Sequence, residues 1–82
     1  MDNFTDKQII EFCSTEDNCI KYMYHWISKN KGFYNVVHMD IDNMPALQSL
    51  VASGQVIELK DRLYKGCREY TFPQYITRTS ID

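Results

Sequence analysis

Four cations crowd one short stretch of the chain: Lys60, Arg62, Lys65 and Arg68 fall within nine residues, with Tyr64 among them. Such a cluster suits the sugar-phosphate backbone or minor groove of a nucleic acid, where each Lys or Arg neutralises phosphate and releases condensed counterions. The plainer use of the same residues is a solvated hairpin whose charges guard an edge strand. A second set, Asn43, Gln48, Ser49 and Ser53, has side chains able to pair with base edges, Asn and Gln with adenine above all. No Lys or Arg accompanies that set, and Asp40 and Asp42 stand at its entrance, where they repel phosphate.

The other chemistries are weaker. Cys13, Cys19, His25, His38 and Cys67 are ligand types, but none shows the close C-x2-C or H-x3–5-H pairing of a zinc site. Cys13 and Cys19 fall on apolar faces and read as buried thiols. A Cys–His pair could supply a nucleophile, yet there is no glycine-rich phosphate loop, nucleophile elbow or H-E-x-x-H. A fold this small also has little room for a deep pocket. The expectation is therefore no enzyme, no catalytic residue, no metal and no cofactor. Tyrosines are the remaining signal. Tyr22 and Tyr24 flank the apolar stripe of a helix, and Tyr34, Tyr64 and Tyr75 lie in segments without helical spacing. They exceed what one small core can hold, and Tyr favours protein interfaces. Tyr22, Tyr24, Tyr34 and Tyr75 are the expected protein-contact set.

The elements that must carry these residues follow from capping and periodicity. Thr5 and Gln8 fit a capping box, and Phe4 and Ile9 a hydrophobic staple. Ile9, Ile10, Phe12 and Cys13 then give a two-turn helix over about 5–13. Ser14 with Asp17 repeats the capping pattern. Cys19, Ile20, Met23, Trp26 and Ile27 recur at three- and four-residue spacing, which predicts a helix near 15–31 with Gly32 as its stop. Residues 33–39 are aromatic and β-branched, a short strand or extended connector. Asp42 or Asn43 can cap a third helix, whose first turn tolerates Pro45. Met44, Leu47, Leu50 and Val51 form its buried stripe and Gly54 ends it. From Gln55 the period becomes two. Ile57 and Leu59 alternate with Glu58 and Lys60, and Tyr70 and Phe72 share a face of a second strand over 67–72. A polar loop, 61–66, joins them, with Gly66 where a hairpin often needs positive φ.

Composition sets the frame. Eighty-two residues with 44% hydrophobic content and a net charge of −2 suit one globular domain. The core is expected over about 5–72, with 73–82 as a tail. The longest apolar runs are far short of the ~20 residues that span a bilayer. The N-terminus lacks the basic and apolar regions of a signal peptide. An odd set of three cysteines fits reduced thiols, and hence a cytoplasmic protein. Charge is uneven: residues 1–20 carry five acids against Lys7 alone, a net −4, and residues 21–82 carry eight bases against six acids, a net +2.

Helix, helix, extended segment, helix and hairpin is the order of a winged helix-turn-helix domain. The stretch Pro45-Ala46-Leu47-Gln48-Ser49-Leu50-Val51-Ala52-Ser53-Gly54-Gln55-Val56-Ile57 resembles the end of a winged-helix recognition helix entering its first wing strand. The departure lies between the second and third helices, where a typical member has a further helix and this chain has about eleven extended-looking residues. The expected fold is thus α+β, a three-helix winged-helix-like domain with a C-terminal hairpin. The resemblance implies a small nucleic-acid-binding regulatory protein, with double-stranded DNA as partner and a homodimer as the expected assembly. Its contacts would be Asn43, Gln48 and Ser49 on the third helix and Lys60, Arg62, Tyr64, Lys65 and Arg68 on the wing. The superfold also hosts protein-binding modules. A protein-binding accessory or inhibitor of phage type, using the scaffold without DNA, is the alternative, motivated by the acidic charge and the tyrosines. No membrane contact is expected.

Overall fold

A computed structural model describes residues 3–29, 35–64 and 67–75, with the backbone alone at 60–64. The elements are α1 (Asp6–Phe12), α2 (Glu16–Lys29), β1 (Val37–Met39), a 3₁₀ turn (Ile41–Asn43), α3 (Pro45–Ala52), β2 (Ile57–Tyr64) and β3 (Cys67–Thr71). The fold is mixed α+β, with helices against a small three-stranded antiparallel sheet. No helix among the described residues is long and apolar enough to cross a membrane.

The N-terminal helices follow from their caps. Thr5 Oγ1 accepts the Gln8 amide while the Gln8 side chain accepts the Thr5 amide, so two orphan donors are satisfied reciprocally. Phe4 lies against Phe12, with ring centroids 5.7 Å apart. The second cap differs from expectation by one residue. Thr15, not Ser14, accepts the backbone N–H of its N3 residue, Asn18. Both hydroxyls precede the same acidic turn, and the helix starts at Glu16. Along α2, Cys19, Tyr22, Met23 and Ile27 are buried, while Ile20 and Trp26 are half-buried. The apolar stripe is therefore rotated toward Tyr22.

The expected side-chain cap of α3 is absent. Its N-cap is Met44, which is buried, and neither Asp42 nor Asn43 caps it. Those two residues instead belong to the 3₁₀ turn, where Asn43 Nδ2 donates to Asp40 Oδ2 at 2.7 Å. Pro45 opens the helix as N1, where its missing N–H costs nothing. Ala46, Leu47 and Leu50 are buried against the core and Val51 is half-buried. Gly54, at φ 83°, ends α3. Its amide donates to Val51, and the amides of Gln55 and Val56 both donate to Leu50. The left-handed conformation that closes these bonds suits glycine.

The strand order is β1-β3-β2, so β3 is paired on both sides. Val37 and Glu58 stand opposite Tyr70, His38 and Leu59 opposite Glu69, and Met39 and Leu63 opposite Arg68. Opposite residues share a face. Val37, Met39 and Tyr70 are buried with α2 and α3, and His38, Leu59 and Glu69 are half-buried on the other face. The extended segment before α3 is thus a genuine strand, and it completes the sheet. The expected loop over 61–66 is corrected as well. β2 runs through to Tyr64, which pairs with Cys67, leaving residues 65 and 66 between the strands. The polar composition of 61–64 hid a strand because backbone pairing with β3 does not require apolar side chains.

Candidate nucleic-acid interface

The exposed residues of α3 and its ends include Asn43, Gln48, Ser49 and Ser53, so the expected base-reading set does reach the surface. Two of its amides are already engaged. Gln48 Nε2 donates to the Ile41 carbonyl at 2.8 Å, tying α3 to the 3₁₀ turn, and Asn43 Nδ2 is held by Asp40. The Ser53 hydroxyl donates to Leu50 O and accepts from Gln55. Such contacts stabilise the helix termini and leave less free donor capacity for a base edge.

The hairpin has an unusual register. Leu59 pairs with Glu69 and Leu63 with Arg68, so residues 60–62 of β2 lie between rungs that are adjacent on β3. An irregularity of this kind bends the strand and increases its twist. It places the backbone of residues 60–62 beside the Arg68–Glu69 step of β3. The side chains of Lys60, Arg62 and Tyr64, and all of Lys65, lie outside the described residues. Arg68 is half exposed, and its Nη1 donates to Glu58 Oε2 at 3.0 Å. Glu58, with 10% of its side chain exposed, also accepts from the Tyr70 hydroxyl at 3.1 Å. Burial pushes the Tyr70 hydroxyl well above its ordinary pKa, and the neighbouring Glu58 carboxylate adds to it. Sequence reading missed Glu58. Its partners depend on the strand register that sets it opposite Tyr70, which the local pattern does not carry.

The expected protein-contact tyrosines separate. Tyr22 is buried, with 5% exposed, and is corrected to a core residue; burial pushes its hydroxyl up as well. Tyr24 is 42% exposed and stacks on Phe72 with centroids 4.4 Å apart and planes 16° from parallel. Tyr75 is half-buried and 6.4 Å from Phe72. Tyr34 lies outside the described residues. Phe72, which alternation placed in the core, is buried there and is the ring on which Tyr24 packs.

Of the residues considered for metal or acid–base work, His25 is half-buried with its ring edge-on to Trp26, and His38 Nε2 lies 3.0 Å from Glu69 Oε2. Cys13 and Cys19 are buried free thiols, and Cys67 is half-buried. A hydrogen bond shared with Cys19, reinforced by burial, pushes the Cys13 thiol far up. Among the described residues no group of His, Cys, Asp and Glu could hold a metal ion.

One cleft of about 160 Å³ opens at the other end of β1. α1 contributes Asp6, Ile9 and Ile10, and Tyr22 closes the side toward α2. His38, Met39 and Asp40 come from β1 and its end, with Met44 and Cys67 beside them. In comparisons with known proteins, no family model, curated protein or solved structure matches the chain.

Proposed function

We propose that the chain is a winged-helix-type nucleic-acid-binding protein in which the β2–β3 hairpin makes the leading contact and α3 an accessory one. The observation that carries this reading is the hairpin register, which holds backbone positions 60–62 between the rungs Leu59–Glu69 and Leu63–Arg68, next to exposed Arg68. Element order supports the fold assignment: α2, β1, α3 and the hairpin follow in the winged-helix sequence, with one 3₁₀ turn where a typical member carries a further helix. The engaged amides of Asn43 and Gln48, and the lack of any cation on α3, favour the hairpin over the helix as the source of affinity. Binding of this kind follows phosphate neutralisation, so it is steeply salt-dependent and weakly sequence-selective.

A fluorescent 20-base-pair duplex titrated from low to moderate salt tests it. Each phosphate contact contributes about −0.9 to the slope of log K against log salt, so four cations give a slope of roughly −3 to −4. Lys65→Glu with Arg68→Glu abolishes binding at moderate salt and flattens the slope. Unchanged binding by that double variant refutes the reading.

A second reading, a protein-binding accessory on the same scaffold, is favoured by exposed Tyr24, whose ring stacks on buried Phe72. Tyr24→Ser then abolishes retention of a partner protein while leaving the duplex titration unaltered. Loss of duplex binding in that variant would instead assign the aromatic surface to nucleic acid.

A further inference from the structure

We propose that the cleft between α1 and the end of β1 is a socket for one lysine or arginine side chain of a protein partner. This does not depend on the nucleic-acid reading, because the cleft shares no residue with the proposed hairpin and α3 contacts.

Size comes first. A volume of about 160 Å³ is close to that of an engineered cavity of ~150 Å³ that takes a benzene ring. The cleft therefore has room for one side chain and not for a peptide strand. Its lining is amphipathic. Ile9, Ile10, Met39 and Met44 supply an apolar wall, and Asp6 and Asp40 supply two carboxylates. Among the described residues no Lys or Arg lines it. Neither Asp6 nor Asp40 has an ion-pair partner among the described residues. Asp40 accepts one hydrogen bond from Asn43, which orients the carboxylate without cancelling its charge. Both carboxylates act on one point in the cleft: after burial, Asp40 and then Asp6 are what raise the Cys67 thiol. They thus bear on the same small space.

Those features select the occupant. Negative potential excludes phosphates and carboxylates. A bare metal ion is disfavoured, because among the described residues no group of three His, Cys, Asp or Glu side chains could hold one. An alkyl stem ending in a cation matches both parts of the lining: methylenes pack on the Ile and Met side chains while the head meets Asp6 and Asp40. The two methionines, flexible and polarizable, can adapt to either a lysine or an arginine stem. The acidic balance of residues 1–20 adds long-range attraction for a basic partner surface.

The test is methyl NMR on the whole chain, labelled at Ile and Met, at pH 8. The probes are n-butylammonium, n-butylguanidinium, 1-butanol, calcium, and the peptide acetyl-Gly-Lys-Gly-amide with its Nε-acetylated form. The two organic cations and the lysine peptide are expected to shift the Ile9, Ile10, Met39 and Met44 methyls saturably, with dissociation constants on the order of 1 mM. Asp6→Asn and Asp40→Asn each weaken that binding by about three- to tenfold, the loss of one charge-assisted contact. Asp40 also holds Asn43, so Asp6→Asn, at an exposed position, serves where the Asp40 variant alters the fold. Equal binding of 1-butanol, or of the acetylated peptide, would reduce the cleft to an apolar pit and overturn the proposal. Displacement of the organic cations by calcium at equal concentration overturns it in favour of a metal site. Binding of butylammonium without the lysine peptide overturns the protein-partner assignment, and absence of methyl shifts overturns it entirely.

Discussion

Glu58 shows how a single side chain can organise polar chemistry at the margin of a core. A nearly buried carboxylate is costly unless partnered, and Glu58 has two partners, Arg68 Nη1 and the Tyr70 hydroxyl. Tyr70→Phe removes one while Arg68 still covers the charge, so the expected loss of stability is about 1–2 kcal/mol, read from urea midpoints. The same site predicts an alkaline limit. The Tyr70 hydroxyl titrates above its ordinary value in the folded chain. The fold therefore favours its neutral form. That stability is intact below the unfolded phenol pKa, about 10, and is lost as pH rises above it. Urea midpoints should fall above about pH 10 in the native chain and fall less in Tyr70→Phe; an equal fall in both would contradict the assignment. Exposure separates the three thiols. Iodoacetamide at pH 8 should label Cys67 in the native chain, with Cys13 and Cys19 reacting only on unfolding, as mass spectrometry with and without denaturant will show.

The elements were partly legible because caps and stripes are local. Thr5 with Gln8 specifies the start of α1 through bonds within four residues, and Gly54 specifies the end of α3 through its left-handed backbone. The adjacent hydroxyls Ser14 and Thr15 could not be told apart by type; they differ only in which one the chain reversal aims at Asn18. Substitution separates them cleanly. Thr15→Ala should cost about 1 kcal/mol, as a lost N-cap contact, whereas Ser14→Ala should change stability by only a few tenths. Gly54→Ala meets no atom within 4 Å of its new Cβ. Its expected cost of about 1–2 kcal/mol is thus backbone strain alone, measurable against Gly54→Asn, which tolerates the same conformation better. The hairpin was misread as two strands and a long loop. Polar residues such as Asp61 and Arg62 gave no apolar alternation to follow, and the pairing of Tyr64 with Cys67 is a contact across the strands.

At the scale of the whole molecule, β3 is the organising strand, bonded to β1 on one side and β2 on the other. α1 has no fully buried residue and rests on the core through half-buried Ile9, Ile10 and Phe12. Hydrogen exchange should accordingly be slowest in β3 and the buried face of α2, and fastest among the described helices in α1. Protection of α1 equal to that of β3 would mean that the two open as one unit. The cleft lies at the boundary between these parts, where α1 meets the end of β1, so an occupant there should slow exchange in α1 in particular.

Helix existence, the buried Leu47 and Leu50, the buried Cys13 and Cys19, and the cationic cluster near the C-terminus could all be read along the chain. Each depends on residue type and near-neighbour spacing, the range over which caps, amphipathic stripes and charge density act. The partners of those residues could not be read. Arg68 meets Glu58, His38 meets Glu69 and Tyr24 meets Phe72 through contacts between separate elements, and Asp6 and Asp40 come from separate elements to line one cleft. Such contacts depend on strand register and on how a helix is rotated over the core. A shift of one residue in either would send the same side chains to other neighbours while leaving the local pattern unchanged.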